Sequence, residues 1–261
     1  MTFTDAKQRF SNRVADYVHY RPGYPAAVLD LLRAECGLHS KHIVADIGSG
    51  TGLLSELFLK NGNHVIGVEP NQEMREAGEE YLQSYPDFTS VNGSAESTTL
   101  NDASADFVTA GQAFHWFDPV AARREFARIL VPGGWVAILW NDKRLEEKQL
   151  TRDYEELQER FGIDYKRVKD AYPEMHHISN FFAGGTFVAR DLPNEQVFDW
   201  EGLRGRLRSS SFAPTEDHPN YAPMMAELER IFRAHERDGR VRMEYWARIY
   251  FGQLRAGRTD A

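Results

Sequence analysis

Asp46-Ile47-Gly48-Ser49-Gly50-Thr51-Gly52 sets three glycines at alternate positions behind one acid. Glycine takes positive φ at little cost and lets a backbone come close to a ligand, so the run suits a turn that admits a phosphate or a nucleoside. A P-loop would need Gly-x-x-x-x-Gly-Lys-Ser/Thr, and no lysine follows here. A dinucleotide fingerprint needs Gly-x-Gly-x-x-Gly. Counted from Gly48 and Gly50, its third place is Leu53. What stands is Asp-x-Gly-x-Gly-x-Gly. Glu69 closes an apolar run about 20 residues past the turn, where such folds set a carboxylate on ribose hydroxyls. A third group, Gln112, His115 and Trp116, follows another apolar run. His115 is of the type that titrates near neutral pH. Arg21, Arg204 and Arg208 could give paired hydrogen bonds to an anion. His176 and His177 are adjacent and point to different sides of any regular element, so no metal site is expected.

These residues need elements to place them. Ile43–Ile47 reads as a strand, the glycine run as a tight turn, and Leu53, Leu54, Leu57 and Phe58 as one face of a helix. Strands follow at His64–Glu69, Phe88–Asn92, Ala105–Ala110 and Trp135–Trp140. Helices lie between them, one opening at Asp118-Pro119 with an N-cap and an N1 proline. Strands alternating with helices give a parallel sheet covered on both faces. Earlier in the chain, Thr4–Tyr20 and Pro25–Cys36 read as helices. Later, Glu146–Phe161 reads as an amphipathic helix, Gly162–Gly185 has weak periodicity, and Glu195–Trp200 has strand composition. Pro223–Ala234 reads as a helix, Val241–Phe251 alternates strictly as a strand, and Arg255–Ala261 reads as a frayed tail.

The glycine motif resembles the first motif of the class I S-adenosylmethionine-dependent methyltransferases. The series Gln112-Ala113-Phe114-His115-Trp116-Phe117 resembles the loop after strand four in the small-molecule, trans-aconitate methyltransferase-like (type 11) subgroup. The leader Phe10–Pro25 and the run from Trp200 to Ser211 are similar to that subgroup as well. The resemblance covers roughly Phe10–Leu254. It implies a Rossmann-like, doubly wound, seven-stranded sheet, mostly parallel with an antiparallel C-terminal strand. It adds an N-terminal helical lid and a helical cap after strand five. One domain is expected over 1–261, with lid helices in 1–40, a cofactor-binding half in 41–141, a cap in 142–185, and strands and a helix in 186–254.

The implied cofactor is S-adenosylmethionine, with S-adenosylhomocysteine as product. Asp46, Gly48, Ser49, Gly50 and Gly52 would admit and orient its amino-acid part. Glu69 and Pro70 would meet the ribose, and Met74, Ser94, Ala95 and Glu96 the adenine. Gln112 and Ala113 would face the methionine part. His115 would stand at the transferred methyl as the candidate base. Tyr17, Tyr20, Arg21, Trp116, Arg204 and Arg208 would shape the substrate pocket. If the acceptor is a carboxylate it is already ionised near neutrality and needs no base.

Composition bounds the rest. The 261 residues are 42% hydrophobic, enough for a substantial core, and carry a formal net charge of −8. That balance argues against nucleic acid as partner, which calls for a basic footprint. One cysteine, Cys36, excludes an intrachain disulfide. No apolar stretch has membrane-spanning length and no apolar signal core opens the chain, so a cytoplasmic enzyme acting on a small molecule is expected. Two other readings stand beside it: a nicotinamide-dependent oxidoreductase, and a methyltransferase-like binding module without catalysis.

Overall fold

A computed structural model describes residues 20–146, 148–165, 175–182 and 186–254. Tyr17, the expected leader helix up to residue 19, and the tail 255–261 lie outside the described residues. The chain divides into two compact units. The larger comprises 23–140, 173–192 and 247–261, the smaller 1–22, 141–172 and 193–246.

The sheet has seven strands: β1 (Ile43–Ile47), β2 (His64–Val68), β3 (Phe88–Val91), β4 (Ala105–Gly111), β5 (Leu130–Lys143), β6 (Phe187–Phe198) and β7 (Val241–Gly252). Their order is β3-β2-β1-β4-β5-β7-β6. β1 pairs in parallel with β2, from Ile43↔His64 to Ile47↔Val68, and with β4, from Val44↔Phe107 to Asp46↔Thr109. The β2–β3 and β4–β5 pairs are parallel too, and the C-terminal strands are antiparallel. This is the Rossmann-like, doubly wound arrangement expected from the sequence.

In the larger unit, both faces of the sheet are covered, and alternate residues of each strand serve opposite cores. Ala45, Ile47, Val108, Val136, Ile138 and Tyr250 belong to one apolar cluster. Val44, Phe107, Ala137, Leu139, Ile249 and Phe251 belong to the other. Strands buried on both faces read as continuous apolar runs, which is why β1, β2 and β4 are legible in the sequence. Helices α1 (Ala27–Cys36) and α2 (Leu53–Lys60) supply Leu32 and Phe58 to the second cluster. Helix α4 (Pro119–Ile129) supplies Phe126 to the first. Between β2 and β3, α3 (Gln72–Tyr81) starts at Asn71, whose side chain caps the Met74 amide at 3.0 Å. Cys36 is buried, and burial pushes its thiol up to about 12.

The smaller unit is built on α5 (Gln149–Phe161), α7 (Trp200–Arg208) and α8 (Tyr221–His235). Tyr154, Leu203, Leu207, Leu228 and Tyr245 are among its core residues. The stretch of weak periodicity contains a short helix, α6 (Met175–Phe181), which belongs to the larger unit. Its Ile178 and Phe181 join the larger unit's first cluster.

Two strands start several residues before their expected places. β5 starts at Leu130, before the expected Trp135, so Pro132-Gly133-Gly134 lies within the strand. A register shift opposite Ala105–Phe107 absorbs the extra residues, as a bulge does. β6 starts at Phe187, eight residues before the expected Glu195. It is an edge strand, largely exposed, and carries Asp191, Pro193 and Asn194, the polar and proline content that edges tolerate. The arginine run after Trp200 is a helix, α7, capped by Asp199 at the Gly202 amide.

Candidate active site

The turn after β1 is stitched to the tip of β2. Gly48 and Ser49 amides donate to the Val68 carbonyl at 2.8 and 3.2 Å, and the Gly52 amide donates to Ser49 at 2.9 Å. Gly48, Gly50 and Gly52 have φ of 68°, 56° and 86°. A Cβ at Gly48 would lie 2.7 Å from the Ala113 Cβ and 3.3 Å from the Phe117 ring. Its absence lets the loop after β4 close against the turn. A Cβ at Gly52 would lie 2.5 Å from Leu82, whose side chain packs beneath α2. At Gly50 the near neighbour is the Met74 methyl, 3.3 Å from such a Cβ. The middle glycine thus presents bare backbone beside a buried thioether.

Glu69 follows the last residue of β2 and is 8% exposed. Its Oε2 accepts from the Gly50 amide at 3.0 Å and its Oε1 from the Asn71 amide at 2.8 Å. An ionised carboxylate has about four acceptor sites, and these amides fix its plane at the lip of the turn. Pro70 follows it, half-buried, and Met74 is buried. Asp46 lies deeper. Its oxygens accept from the Ser55 hydroxyl at 2.7 Å and the Thr109 hydroxyl at 3.0 Å. Burial raises its pKa to about 6 against the pull of those hydroxyls. These contacts fasten α2 to β4 beneath the turn. Asp46 is therefore a buried brace beneath the turn.

The loop after β4 comes beside the turn because β4 pairs with β1, the switch point at which doubly wound sheets take ligands. A Cβ at Gly111 would lie 2.5 Å from the Tyr24 hydroxyl, so this glycine admits the phenol to the end of β4. Gln112 holds φ of 56° while its amide donates to Leu139 O at 2.9 Å. A non-glycine residue there costs roughly 1–2 kcal/mol, and such strain clusters at functional sites. Ala113 and Phe114 are buried; His115, Trp116 and Phe117 are half-buried. The His115 and Trp116 rings lie 4.8 Å apart. Burial lowers the His115 pKa to about 4, so the imidazole is neutral at physiological pH. Across from this loop, Ser94 and Ser97 exchange backbone hydrogen bonds at 3.0 and 3.2 Å. Ala95 between them is in the core, and the Glu96 carboxylate accepts from the Asp118 amide at 2.9 Å.

In the smaller unit, Tyr20 and Arg21 are held by several bonds. Arg21 Nη2 donates to Ser209 O at 2.9 Å, and Gln196 donates to Tyr20 O at 3.2 Å. Gly205 makes room for the Tyr20 ring, which a Cβ there would strike. Arg204, a predicted anion ligand, forms a 2.6 Å ion pair with Glu201 on the surface, and Arg208 is half-buried. The buried arginine of α7 is Arg206, which the sequence reading passed over. The signal was present: Leu203 and Leu207 mark the inner face, and position 206 shares it at helical spacing. Lys143, half-buried, and Tyr154, buried, lie in the same unit. The structure therefore sorts the predicted residues into two sets. The turn, Glu69, Met74, the Ser94–Glu96 loop and the Gln112–Trp116 loop belong to the larger unit. Tyr20, Arg21, Arg204 and Arg208 belong to the smaller.

The profile of the methyltransferase domain family Methyltransf_11 matches residues 45–138, from β1 to β5. An uncharacterized methyltransferase of Mycobacterium tuberculosis (strain ATCC 25618 / H37Rv) is 35% identical over 168 residues, 64% of this chain and 64% of its own length. One from Schizosaccharomyces pombe is 32% identical over 133 residues, 51% of this chain and 52% of its own. The matched region thus spans about one half to just under two thirds of these relatives. Among solved structures, a candidate type II methyltransferase from Anaeromyxobacter dehalogenans aligns with a TM-score of 0.66 at 22% identity, covering 90% of this chain and 98% of its own. A candidate methyltransferase from an antibiotic biosynthesis pathway of Anabaena variabilis aligns at 0.62 and 21%, covering 90% and 99%. At such identities the structural likeness speaks for the fold. Among the described residues, no helix is long and apolar enough to cross a membrane.

Proposed function

We propose that this chain, which over residues 45–138 belongs to the methyltransferase domain family, transfers a methyl group from S-adenosylmethionine to a small acceptor bearing a carboxylate. The observation that carries the reading is the Glu69 carboxylate, fixed by the Gly50 amide at 3.0 Å beside the buried Met74.

The family implies S-adenosylmethionine as cofactor, and the residues fit it. Bare backbone at Gly50 admits a ligand that a side chain would exclude. Glu69, acceptor-only when ionised, suits the two hydroxyls of a ribose. Met74 gives a polarisable surface for an adenine ring, flanked by the Ser94–Glu96 loop. Gln112 and Ala113 line the neighbouring loop for the amino-acid end. When bound, S-adenosylmethionine supplies an electrophilic methyl on a sulfonium, and alignment and exclusion of water fall to the protein. With its pKa lowered to about 4 by burial, His115 is a weak base, which agrees with an acceptor that carries no proton to remove. His115 and Trp116 would then orient and enclose, not deprotonate. The net charge of −8 supports a small-molecule acceptor over nucleic acid, and we place the enzyme in the cytoplasm.

The test is ligand-dependent stability. S-adenosylhomocysteine should raise Tm by several degrees, NADH should not, and Glu69→Ala should remove the response. A response to NADH alone would favour the oxidoreductase. Stabilisation by S-adenosylhomocysteine, with no consumption of S-adenosylmethionine across a panel of organic acids, would favour a binding module.

A further inference from the structure

Tyr24 stands just ahead of α1, between Gly23 and Pro25. A residue before proline is turned away from helix, and the chain is irregular there. The ring is half-buried and packs on the apolar cluster that holds Leu54 and Phe58 of α2. Its hydroxyl reaches Gly111, the last residue of β4. A Cβ at Gly111 would lie 2.5 Å from the Tyr24 hydroxyl, 3.1 Å from Cζ of the same ring and 3.0 Å from Leu54 Cδ2. The φ of Gly111 is not positive, so this glycine serves close approach and not backbone freedom. Tyr24, Leu54 and Gly111 all belong to the larger unit.

Strand order decides which end of a ligand the hydroxyl meets. β2 lies on one side of β1 and β4 on the other. Glu69, just after β2, is tied to the Gly50 amide, and the Met74 methyl lies beside Gly50 too. A nucleoside gripped by Glu69, with its base on Met74, therefore occupies the β2 side of the turn. Whatever its 5′ carbon carries extends across the turn toward β4. Tyr24 and Gly111 stand on that side, next to Gln112 with its φ of 56°. The surroundings suit an anion. A phenol has one hydrogen to donate. Leu54 sits in the first turn of α2, whose N-cap is Gly52 and offers no side chain to that end of the helix, the end that favours negative charge.

We propose that the Tyr24 hydroxyl donates a hydrogen bond to the carboxylate at the amino-acid end of S-adenosylmethionine, and that position 111 is glycine so that the phenol can reach it. The inference rests on the cofactor proposed above and names a group that reads its carboxylate. Tyr24 thereby favours the whole cofactor over its nucleoside fragments.

The test is calorimetry on the whole protein with three ligands. These are S-adenosylhomocysteine, its decarboxylated form, which keeps the amine, and 5′-methylthioadenosine, which lacks the amino-acid end. Tyr24→Phe should bind S-adenosylhomocysteine about tenfold more weakly, the scale of a hydrogen bond to a charged group. The other two ligands should bind it as they bind the parent. Gly111→Ala sets a Cβ against the hydroxyl and should show the same selective loss, which keeps the test open if Tyr24→Phe does not fold. Unchanged affinity for S-adenosylhomocysteine, or a loss that the decarboxylated form shares, would overturn the proposal. Failure of the cofactor reading looks different: the parent itself would bind none of the three, and this inference would fall with it.

Discussion

Glu69 Oε2 accepts a hydrogen bond from the amide of Gly50 at 3.0 Å, so the acid after β2 is tied to the middle of the glycine turn that leaves β1. Two backbone amides hold the carboxylate in place, which limits the ordering cost of binding. Glu69→Gln keeps the size but removes the charge and puts an amide where an acceptor stood. We expect S-adenosylhomocysteine affinity to fall about 10- to 100-fold, the range for hydrogen bonds to a charged group. Calorimetry should show the loss. Unchanged affinity would remove Glu69 from the ligand site.

Gly52 offers a test of the turn that does not depend on any ligand. Its φ is 86°, and a Cβ would stand 2.5 Å from Leu82. Gly52→Ala therefore meets both backbone strain and a buried neighbour. We expect a loss of about 2 kcal/mol, from roughly 1–2 kcal/mol of left-handed strain plus displacement of Leu82. Urea denaturation should show a lower midpoint with an unchanged slope. A loss under 0.5 kcal/mol would mean that the turn relaxes freely.

The larger unit was readable in the sequence because its strands are buried on both faces. Ile43–Ile47 and Ala105–Gly111 have little choice but to be apolar, and the turn between β1 and α2 needs glycines. Glu69 was legible for the same reason: the strand before it fixes its place. Arg206 was not legible, because its role depends on which face of α7 is covered, and α7 itself was hidden behind a polar edge strand. Lys143 and Tyr154 were hidden more deeply. Lys143 follows the apolar part of β5 and reads as the start of a loop. Tyr154 fits the amphipathic stripe of α5 as ordinary core, and only the fold shows that its hydroxyl bonds to none of the described residues.

Two groups give the stability of the protein opposed pH dependences. The Asp46 pKa rises from 3.8 to about 6 in the folded state through burial. Between those values the folded state holds the proton more firmly, so this group's contribution falls as pH rises from about 4 to 6 and stays low above. The His115 pKa drops from 6.5 to about 4 through burial. There the unfolded state binds the proton more readily, so this contribution rises over about pH 4 to 6.5. The two oppose each other in the parent, and single variants should separate them. Asp46→Asn should gain stability relative to the parent as pH rises through the window, by up to about 3 kcal/mol less the cost of rearranging the Ser55 and Thr109 hydroxyls. His115→Gln should lose relative stability over the same window. Urea denaturation at half-unit pH steps measures both; parallel profiles for parent and variants would contradict the shifts.

The same neutral imidazole bears on turnover. With a pKa near 4, His115 does not change charge between pH 5 and 8. If it orients a substrate already ionised, the rate over that range should show no inflection near 6.5, the ordinary value for histidine. His115→Ala should lower kcat about tenfold, the scale of one positioning contact, while S-adenosylhomocysteine binds as before. A pH–rate profile on a carboxylate acceptor, with the variant beside the parent, decides the matter. An inflection near 6.5 that vanishes in the variant would make His115 a general base and point to an acceptor carrying a proton. Identical turnover in the two proteins would remove His115 from the reaction.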